Sequence, residues 1–178
     1  MEKNNIIKIA IIGAESTGKS TLVKELAQYF KTEYVEEYAR EYFNTHNIND
    51  YSIDVFDKIY SKQLENEELK SAYATGFLFC DTTLITGKIW SEEVFGKTAP
   101  FIVEHLIKHH YDLYLVTDND VPWVADGQRK NPHNREELLN KNIELLKELE
   151  ATYEMINGLH EQRLTNAISI IKKHFALT

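Results

Sequence analysis

A short apolar run that leads into a glycine-rich loop and then into an amphipathic stretch constrains this fold most strongly. The run is Ile6–Ile12, and the loop Gly13–Ser20 reads Gly-Ala-Glu-Ser-Thr-Gly-Lys-Ser. Continuous β-branched residues are typical of a buried parallel strand. Lys19–Lys31 then places its apolar residues on one helical stripe. The order of strand, loop and helix predicts a loop that lies at a helix N-terminus, at the carboxyl end of a strand.

The loop itself has the spacing of a phosphate-binding site, G-x-x-x-x-G-K-[S/T]. Gly13 and Gly18 allow backbone conformations in which consecutive N–H groups point at an anion. Lys19 supplies a cation for the β- and γ-phosphates, and the Ser20 hydroxyl can ligate Mg²⁺. We therefore predict that ATP is bound by Gly13, Ala14, Glu15, Ser16, Thr17, Gly18, Lys19, Ser20 and Thr21, with Lys19 also catalytic.

The rest of the chain alternates between strand-like and helix-like segments, which predicts a parallel sheet with helices on both faces. Further strands are predicted at Glu33–Glu36, Phe77–Cys80, Asp112–Val116 and Glu154–Asn157, about five in all. Helices are predicted at Glu37–Thr45, Ser52–Ala72, Arg135–Tyr153 and His160–Phe175, and from Pro100 with Ile102, Val103, Leu106 and Ile107 facing inward. A length of 178 residues suits a single α/β domain over residues 1–178.

Charge and cysteine content limit the possible partners and compartment. With 20 basic and 28 acidic residues the net charge is −8, which disfavours wrapping a nucleic-acid backbone. The single cysteine, Cys80, excludes an internal disulfide framework and suits a reducing compartment. We see neither a signal-peptide pattern nor an apolar stretch of membrane-spanning length. We expect a cytoplasmic protein without a nucleic-acid or membrane partner.

An apolar strand that ends in a carboxylate supplies a second candidate for the phosphate site. Phe77–Cys80 is followed directly by Asp81. Ligands of open parallel sheets bind beyond the carboxyl ends of the strands. Asp81 is therefore expected near Ser20, where both could hold Mg²⁺; the alternative is a carboxylate that only caps the next helix.

Two further segments favour phosphoryl transfer over a signalling role. A base-specificity motif N-K-x-D, as signalling GTPases need, is absent from the sequence. Either Glu36 or Glu37, at the end of the second predicted strand, could accept the proton of an attacking hydroxyl. The long polar stretch at about residues 117–135 is predicted to form a lid, in which Arg129 and Arg135 could clamp the transferred phosphoryl group.

The aromatic and histidine residues give less direct indications. Trp90 and Trp123 could stack on a flat heteroaromatic ring or could belong to the core. His105, His109 and His110 lack a matching carboxylate motif, so a packing or surface role is expected for them.

Several segments, in this order, resemble the nicotinamide riboside kinase family, the kinase domain of bacterial NAD-salvage regulators. They are the phosphate loop, Tyr34-Val-Glu-Glu-Tyr-Ala-Arg40, Cys80-Asp-Thr82, Trp90-Ser-Glu92 with Phe95-Gly96, Tyr111-Asp-Leu-Tyr-Leu115 and Asp120-Val-Pro-Trp-Val-Ala-Asp-Gly-Gln-Arg129. The last is the most specific. The resemblance covers Ile6 to about Ala167.

This resemblance implies a P-loop kinase fold and transfer of the ATP γ-phosphate to the 5′-hydroxyl of nicotinamide riboside. Val35–Arg40 also resembles deoxynucleoside kinases, in which the acid matching Glu36 is the general base, so the resemblance favours Glu36 over Glu37. Thr82 stands where those kinases have an arginine, which argues against a deoxynucleoside acceptor. The implied acceptor-binding residues are Glu36, Tyr38, Arg40, Trp90, Trp123 and Asp126.

The larger relatives carry an adenylyltransferase domain, and some a DNA-binding domain, before the kinase. Only a few residues precede the first predicted strand here, so the resemblance implies a stand-alone kinase. Two alternatives remain open at this stage. The acceptor could be another nucleoside or small metabolite, or the chain could be an ATP-binding regulatory module whose residues 117–134 act as a switch.

Overall fold

The computed structural model describes residues 5–47, 51–124 and 133–177. Its centre is a sheet of five parallel strands in the order β2-β3-β1-β4-β5. The strands are β1 (Ile7–Gly13), β2 (Glu33–Val35), β3 (Phe77–Asp81), β4 (Leu113–Thr117) and β5 (Tyr153–Ile156). The chain adds β2 and β3 on one side of β1 and then β4 and β5 on the other. The predicted five-stranded parallel sheet is confirmed.

Seven helices are present in the described ranges. They are α1 (Lys19–Phe30), α2 (Tyr38–Thr45), α3 (Ile53–Ser71), α4 (Leu84–Phe95), α5 (Pro100–His105), α6 (Arg135–Glu148) and α7 (His160–His174). Within the same ranges, no helix has the length and apolar character needed to cross a bilayer.

The two faces of the sheet bury separate hydrophobic clusters, as expected when helices cover both faces. On one face, Ile9 and Ile11 of β1 pack with the apolar stripe of α1 and with Ala167 and Ile171 of α7. On the other face, residues of β1, β3 and β4 pack against α4 and α6. A third cluster, centred on Phe56 and Ile59, joins α3 to α4 and α5. The sheet is thereby held with the carboxyl ends of β1, β2 and β3 at one edge.

Three details of the sequence-based assignment are wrong. Helix α4 was not predicted, because it is apolar nearly all round and so lacks a clear stripe: Leu84, Ile85 and Ile89 are all buried. Helix α6 ends at Glu148 rather than at Tyr153, which belongs to β5. Val103 and Ile107 are 61% and 71% exposed instead of facing inward. The reason is that α5 spans only 6 residues and fully buries only Ile102.

Candidate nucleotide and acceptor site

The loop between β1 and α1 has the backbone shape that its sequence predicts. Gly13 has φ +137° and Gly18 has φ +80°. A Cβ atom at Gly13 would lie 2.5 Å from Thr117 Oγ1 and 2.8 Å from the Thr117 carbonyl oxygen. Only glycine therefore fits where the loop crosses β4. Helix α1 begins at Lys19, so its free N–H groups and its positive dipole end open onto the loop.

Side chains of the loop fold back onto the loop itself. Lys19 Nζ donates to the carbonyl oxygens of Gly13 and Ala14, at 3.1 and 2.7 Å. The hydroxyl of Thr17 lies 2.9 Å from the Ala14 carbonyl oxygen and 2.6 Å from Thr117 Oγ1. Thr17 thus ties the loop to β4, and the Lys19 ammonium group is held beside the anion-binding backbone.

Arg163 of α7 is a loop-supporting residue that the sequence analysis missed. It is 4% exposed and donates to the carbonyl oxygen of Thr17 in the phosphate loop. It also donates to the Gly158 carbonyl at 2.8 Å and forms an ion pair with Asp120. No local pattern marks such a residue, since its loop partner is 146 positions away in the sequence.

Asp81 ends β3 beside Ser20, as predicted, and is 2% exposed. Burial raises the pKa of the Asp81 carboxyl to about 6, with a smaller increase from Glu37, while Lys19 and a hydrogen bond with Ser20 act in the opposite direction. Its Oδ1 atom has no hydrogen-bond partner among the described residues. An oxygen-donor pair with one unsatisfied buried carboxylate oxygen fits Mg²⁺, which prefers such ligands.

The two candidate bases, Glu36 and Glu37, point in different directions. Glu37 lies on the wall of the cavity that contains the phosphate loop, where Arg40 Nε donates to it at 2.8 Å. Glu36 is 65% exposed and forms an ion pair with Lys24 at 2.6 Å. It lines a neighbouring outer cleft of about 450 Å³, which it shares with Glu37 and Asp81. Only Glu37 of these two acids lines the cavity that contains the phosphate loop, so the geometry favours Glu37, and Glu36 as the base stays a prediction from the resemblance.

One cavity of about 360 Å³ joins the phosphate loop to an aromatic chamber. Residues 13–20 form part of its wall. The aromatic chamber is the part lined by Phe43, Tyr51, Phe56, Tyr60, Trp90 and Val94. Glu37 and Arg40 also line this cavity. Burial raises the pKa of Tyr51, and the carboxylates of Glu15 and Glu37 raise it further, so Tyr51 lies within electrostatic reach of both the phosphate loop and the candidate base.

The cavity wall contains two polar residues that the sequence analysis did not select. Thr86 of α4 and Asn142 of α6 are 8% and 3% exposed. Thr86 Oγ1 and Asn142 Oδ1 have no hydrogen-bond partner within the described ranges. Neither residue stands in a recognisable motif, and α4 itself was not predicted, so no sequence pattern selects them.

Besides Glu36 and Asp81, which line the outer cleft, four predicted site residues lie apart from the residues that line this cavity. The Thr21 side chain is exposed on α1. The Tyr38 ring packs toward Tyr42, with centroids 6.4 Å apart. Trp123 is half-buried, with an indole Nε1 that has no partner among the described residues. Arg135 begins α6, where burial lowers the pKa of its guanidinium and Asp120 raises it.

The root of the predicted lid contacts the phosphate loop. Val124 N–H donates to Ser16 Oγ at 2.9 Å, so the segment that leaves β4 passes directly over the loop. Asp126 and Arg129 lie outside the described residues.

The phosphate loop and the sheet order together define a P-loop α/β protein with the fold of nucleoside and nucleotide kinases. The structure superposes on a NadR protein in complex with NR with a TM-score of 0.84 at 23% identity, covering 99% of this chain and 54% of that one. It superposes on thymidylate kinase from Candida albicans with a TM-score of 0.67 at 15% identity, over 96% and 92% of the two chains.

Over residues 8–163 the sequence matches the profile of AAA_28, an AAA domain, and the chain belongs to that family. It is 34% identical over 145 residues to the trifunctional NAD biosynthesis/regulator protein NadR of Escherichia coli strain K12 and 30% identical over 171 residues to that of Salmonella typhimurium strain LT2. These alignments cover 79% and 93% of this chain but 35% and 42% of the relatives. The resemblance to NAD-salvage regulators is confirmed.

Proposed function

We propose that the chain transfers the γ-phosphoryl group of ATP to the 5′-hydroxyl of nicotinamide riboside, giving nicotinamide mononucleotide for NAD salvage. One observation carries the proposal: the phosphate loop, a set of aromatic side chains and Glu37 all line a single cavity. The similarity to NadR proteins supports this choice of acceptor.

The donor end of the cavity accounts for ATP binding. Backbone N–H groups of residues 13–20 surround the β-phosphate, and Lys19 leaves its carbonyl partners to contact the β- and γ-phosphates. Ser20 and Asp81 would hold Mg²⁺, which when bound neutralises the charge of the phosphate oxygens. Asp81 ionises more readily once a cation offsets the burial that raises its pKa.

The acceptor end of the cavity suits a nucleoside with a flat base. Tyr51, Tyr60 and Trp90 offer faces for stacking, and aromatic faces attract a cationic ring such as the pyridinium of nicotinamide riboside. Glu37 then orients the hydroxyl and takes its proton, while Arg40 holds the Glu37 carboxylate in place.

The lid is proposed to cover the transferred group. Arg129 and Arg135 would contact the phosphoryl oxygens, and Trp123 and Asp126 the acceptor, when residues 117–135 close over the cavity. Closure excludes water, which would otherwise compete with the acceptor hydroxyl. We assign the reaction to the cytoplasm, because a chain with a single cysteine and no internal disulfide suits a reducing compartment.

The decisive experiment measures ADP formation by the purified chain with ATP and Mg²⁺ across a panel of nucleosides. Nicotinamide riboside should stimulate ADP formation most, and nicotinamide mononucleotide should appear in equal amount. Stimulation by a different nucleoside alone would overturn the choice of acceptor and retain a nucleoside kinase. Slow ATP turnover that no nucleoside changes would indicate a regulatory module and would contradict the proposed kinase activity.

A further inference from the structure

Gln63 is a buried polar residue of α3 that joins two acid-bearing segments. It is 2% exposed. Its Oε1 atom accepts a hydrogen bond from the Tyr38 N–H at 2.8 Å, and its Nε2 atom donates to the Asp81 carbonyl oxygen at 3.3 Å. One side-chain amide therefore connects the start of α2 to the end of β3.

Each of the two segments contributes a carboxylate to the outer cleft. One is Glu37, which directly precedes Tyr38, and the other is the side chain of Asp81 itself. Their like charges repel each other. The Gln63 amide directs its oxygen at the Tyr38 N–H and its NH₂ group at the Asp81 carbonyl. A single orientation of the amide therefore satisfies both backbone groups.

The position of Gln63 is in turn fixed by Glu67, one helical turn further along α3. Glu67 is fully buried and accepts from Tyr111 Oη at 2.5 Å. Its other oxygen lies 2.8 Å from His109 Nε2 and 3.6 Å from Lys8 Nζ. These contacts anchor α3 to β1 and to the segment before β4, so that the helix cannot rotate and withdraw Gln63 without breaking them.

We propose that Gln63 is a positioning residue that sets the separation between Glu37 and Asp81 and so aligns the acceptor base with the metal-held phosphate. The role rests on the proposed function. Gln63 is not among the residues that line the cavity or the outer cleft, so it acts through Tyr38 and Asp81 rather than by contact with a ligand. A small displacement of reacting groups is costly, since about 1 Å can lower a rate about 100-fold.

The test compares two variants of Gln63 with a control in a distant part of the core. Gln63→Met keeps the length of the side chain and removes both hydrogen bonds, whereas Gln63→Glu keeps the acceptor for Tyr38 and loses the donor to Asp81. The control is a substitution of Ile171 on α7, which packs on the opposite face of the sheet. We use Ile171→Val or Ile171→Ala, depending on which one lowers the Tm as much as the Gln63 variants do.

We expect kcat with nicotinamide riboside to fall about 10- to 100-fold in Gln63→Met, with KM for ATP nearly unchanged. Gln63→Glu should also lose kcat, because a carboxylate oxygen faces the Asp81 carbonyl. A second measurement needs no acceptor: calorimetry gives the gain in ATP affinity when Mg²⁺ is added. That gain should shrink in both Gln63 variants and persist in the Ile171 control.

Normal kcat and a normal Mg²⁺-dependent gain in a folded Gln63→Met protein would overturn the proposal. So would equal losses in the Ile171 control, or failure of both Gln63 variants to fold, since Gln63 would then be a stability residue. If the wild type forms no ADP with nicotinamide riboside, the proposed function fails, and the calorimetric comparison still decides whether Gln63 positions Asp81.

Discussion

At the scale of single residues, Asp81 is held where its own charge is disfavoured. Burial raises the pKa of its carboxyl to about 6, and Glu37 adds to the increase. Since the folded chain binds this proton more tightly than the unfolded chain, the free energy of unfolding falls as the pH rises from about 4 to about 6. A bound cation would therefore stabilise the ionised form of Asp81.

We predict that Asp81→Asn stabilises the metal-free chain at pH 7.5 and abolishes phosphoryl transfer. The gain has an upper bound of about 3 kcal/mol, from roughly two pKa units at 1.36 kcal/mol each. It should shrink as the pH falls below about 6 and vanish well below pH 4, where Asp81 is protonated in both states. Thermal unfolding with a chelator present checks this. A Tm that falls at pH 7.5 would show that the carboxylate is not under electrostatic strain.

The adjacent acids Glu36 and Glu37 form a natural matched pair for locating the base. Glu37→Gln should lower kcat about 10²- to 10⁴-fold, the usual contribution of a general base, with little change in KM for ATP. Glu36→Gln removes an exposed ion pair with Lys24, and such pairs contribute about 0–1 kcal/mol, so its kcat should change little. Steady-state kinetics of both variants decides. The reverse order of effects would restore Glu36 as the base.

At the scale of elements, α4 brings a helix-interior glycine against a ring of the cavity wall. A Cβ atom at Gly87 would lie 2.6 Å from Tyr60 Cζ and 2.9 Å from Ile102 Cδ1. Tyr60 is 5% exposed and lines the aromatic chamber. Glycine at this position therefore lets α3 and α4 approach closely enough to set the width of the chamber.

Gly87→Ala should push the Tyr60 ring toward the chamber. Overpacking costs about 1–3 kcal/mol, which outweighs the gain of about 1 kcal/mol from replacing a helical glycine. We expect a lower Tm and a higher KM for the nucleoside, with KM for ATP unchanged. The double variant Gly87→Ala/Tyr60→Leu should recover stability relative to Gly87→Ala. Additive losses in this cycle would mean that Gly87 and Tyr60 do not interact.

The elements differ in how far the sequence predicts them, and the reason is the range of the deciding contacts. The phosphate loop and β1 are specified by adjacent residues, so motif and strand could be predicted together. The choice between Glu36 and Glu37 depends on the turn after Val35, a difference of one residue that periodicity does not resolve. Gln63 and Arg163 act on partners that only the folded sheet brings near, so local pattern could not select them.

At the scale of the whole molecule, Arg163 joins two distant parts of the chain, the phosphate loop and the segment after β4, to the turn before α7. Its guanidinium donates to the carbonyl of Thr17, to Gly158 before α7 and to Asp118 after β4, and pairs with Asp120. Asp120 also accepts from the Gly158 N–H at 2.6 Å. The root of the predicted lid and the phosphate loop are therefore fastened to the same side chain.

We predict that Arg163→Met lowers both stability and ATP affinity. It leaves the Asp120 carboxylate without its cation, and it leaves the buried Thr17 carbonyl and the partly buried carbonyls of Gly158 and Asp118 without this donor, a loss of about 3 kcal/mol. The freed Thr17 carbonyl lets the phosphate loop relax, so ATP should bind about 10-fold more weakly, equivalent to roughly 1.4 kcal/mol. Arg163→Lys should be intermediate, since one ammonium group cannot reproduce the forked contacts.

The matched control for this prediction is Asn166→Ala. Asn166 bonds to Asn157 at 3.1 Å and so supports the same connection between β5 and α7 without touching the phosphate loop. It should lower the Tm slightly and leave ATP affinity unchanged. Denaturant unfolding and ATP titration of all three variants separate the two effects. If Arg163→Met loses stability but binds ATP normally, the arginine fastens the sheet edge alone and the loop keeps its shape through Thr17 and Thr117.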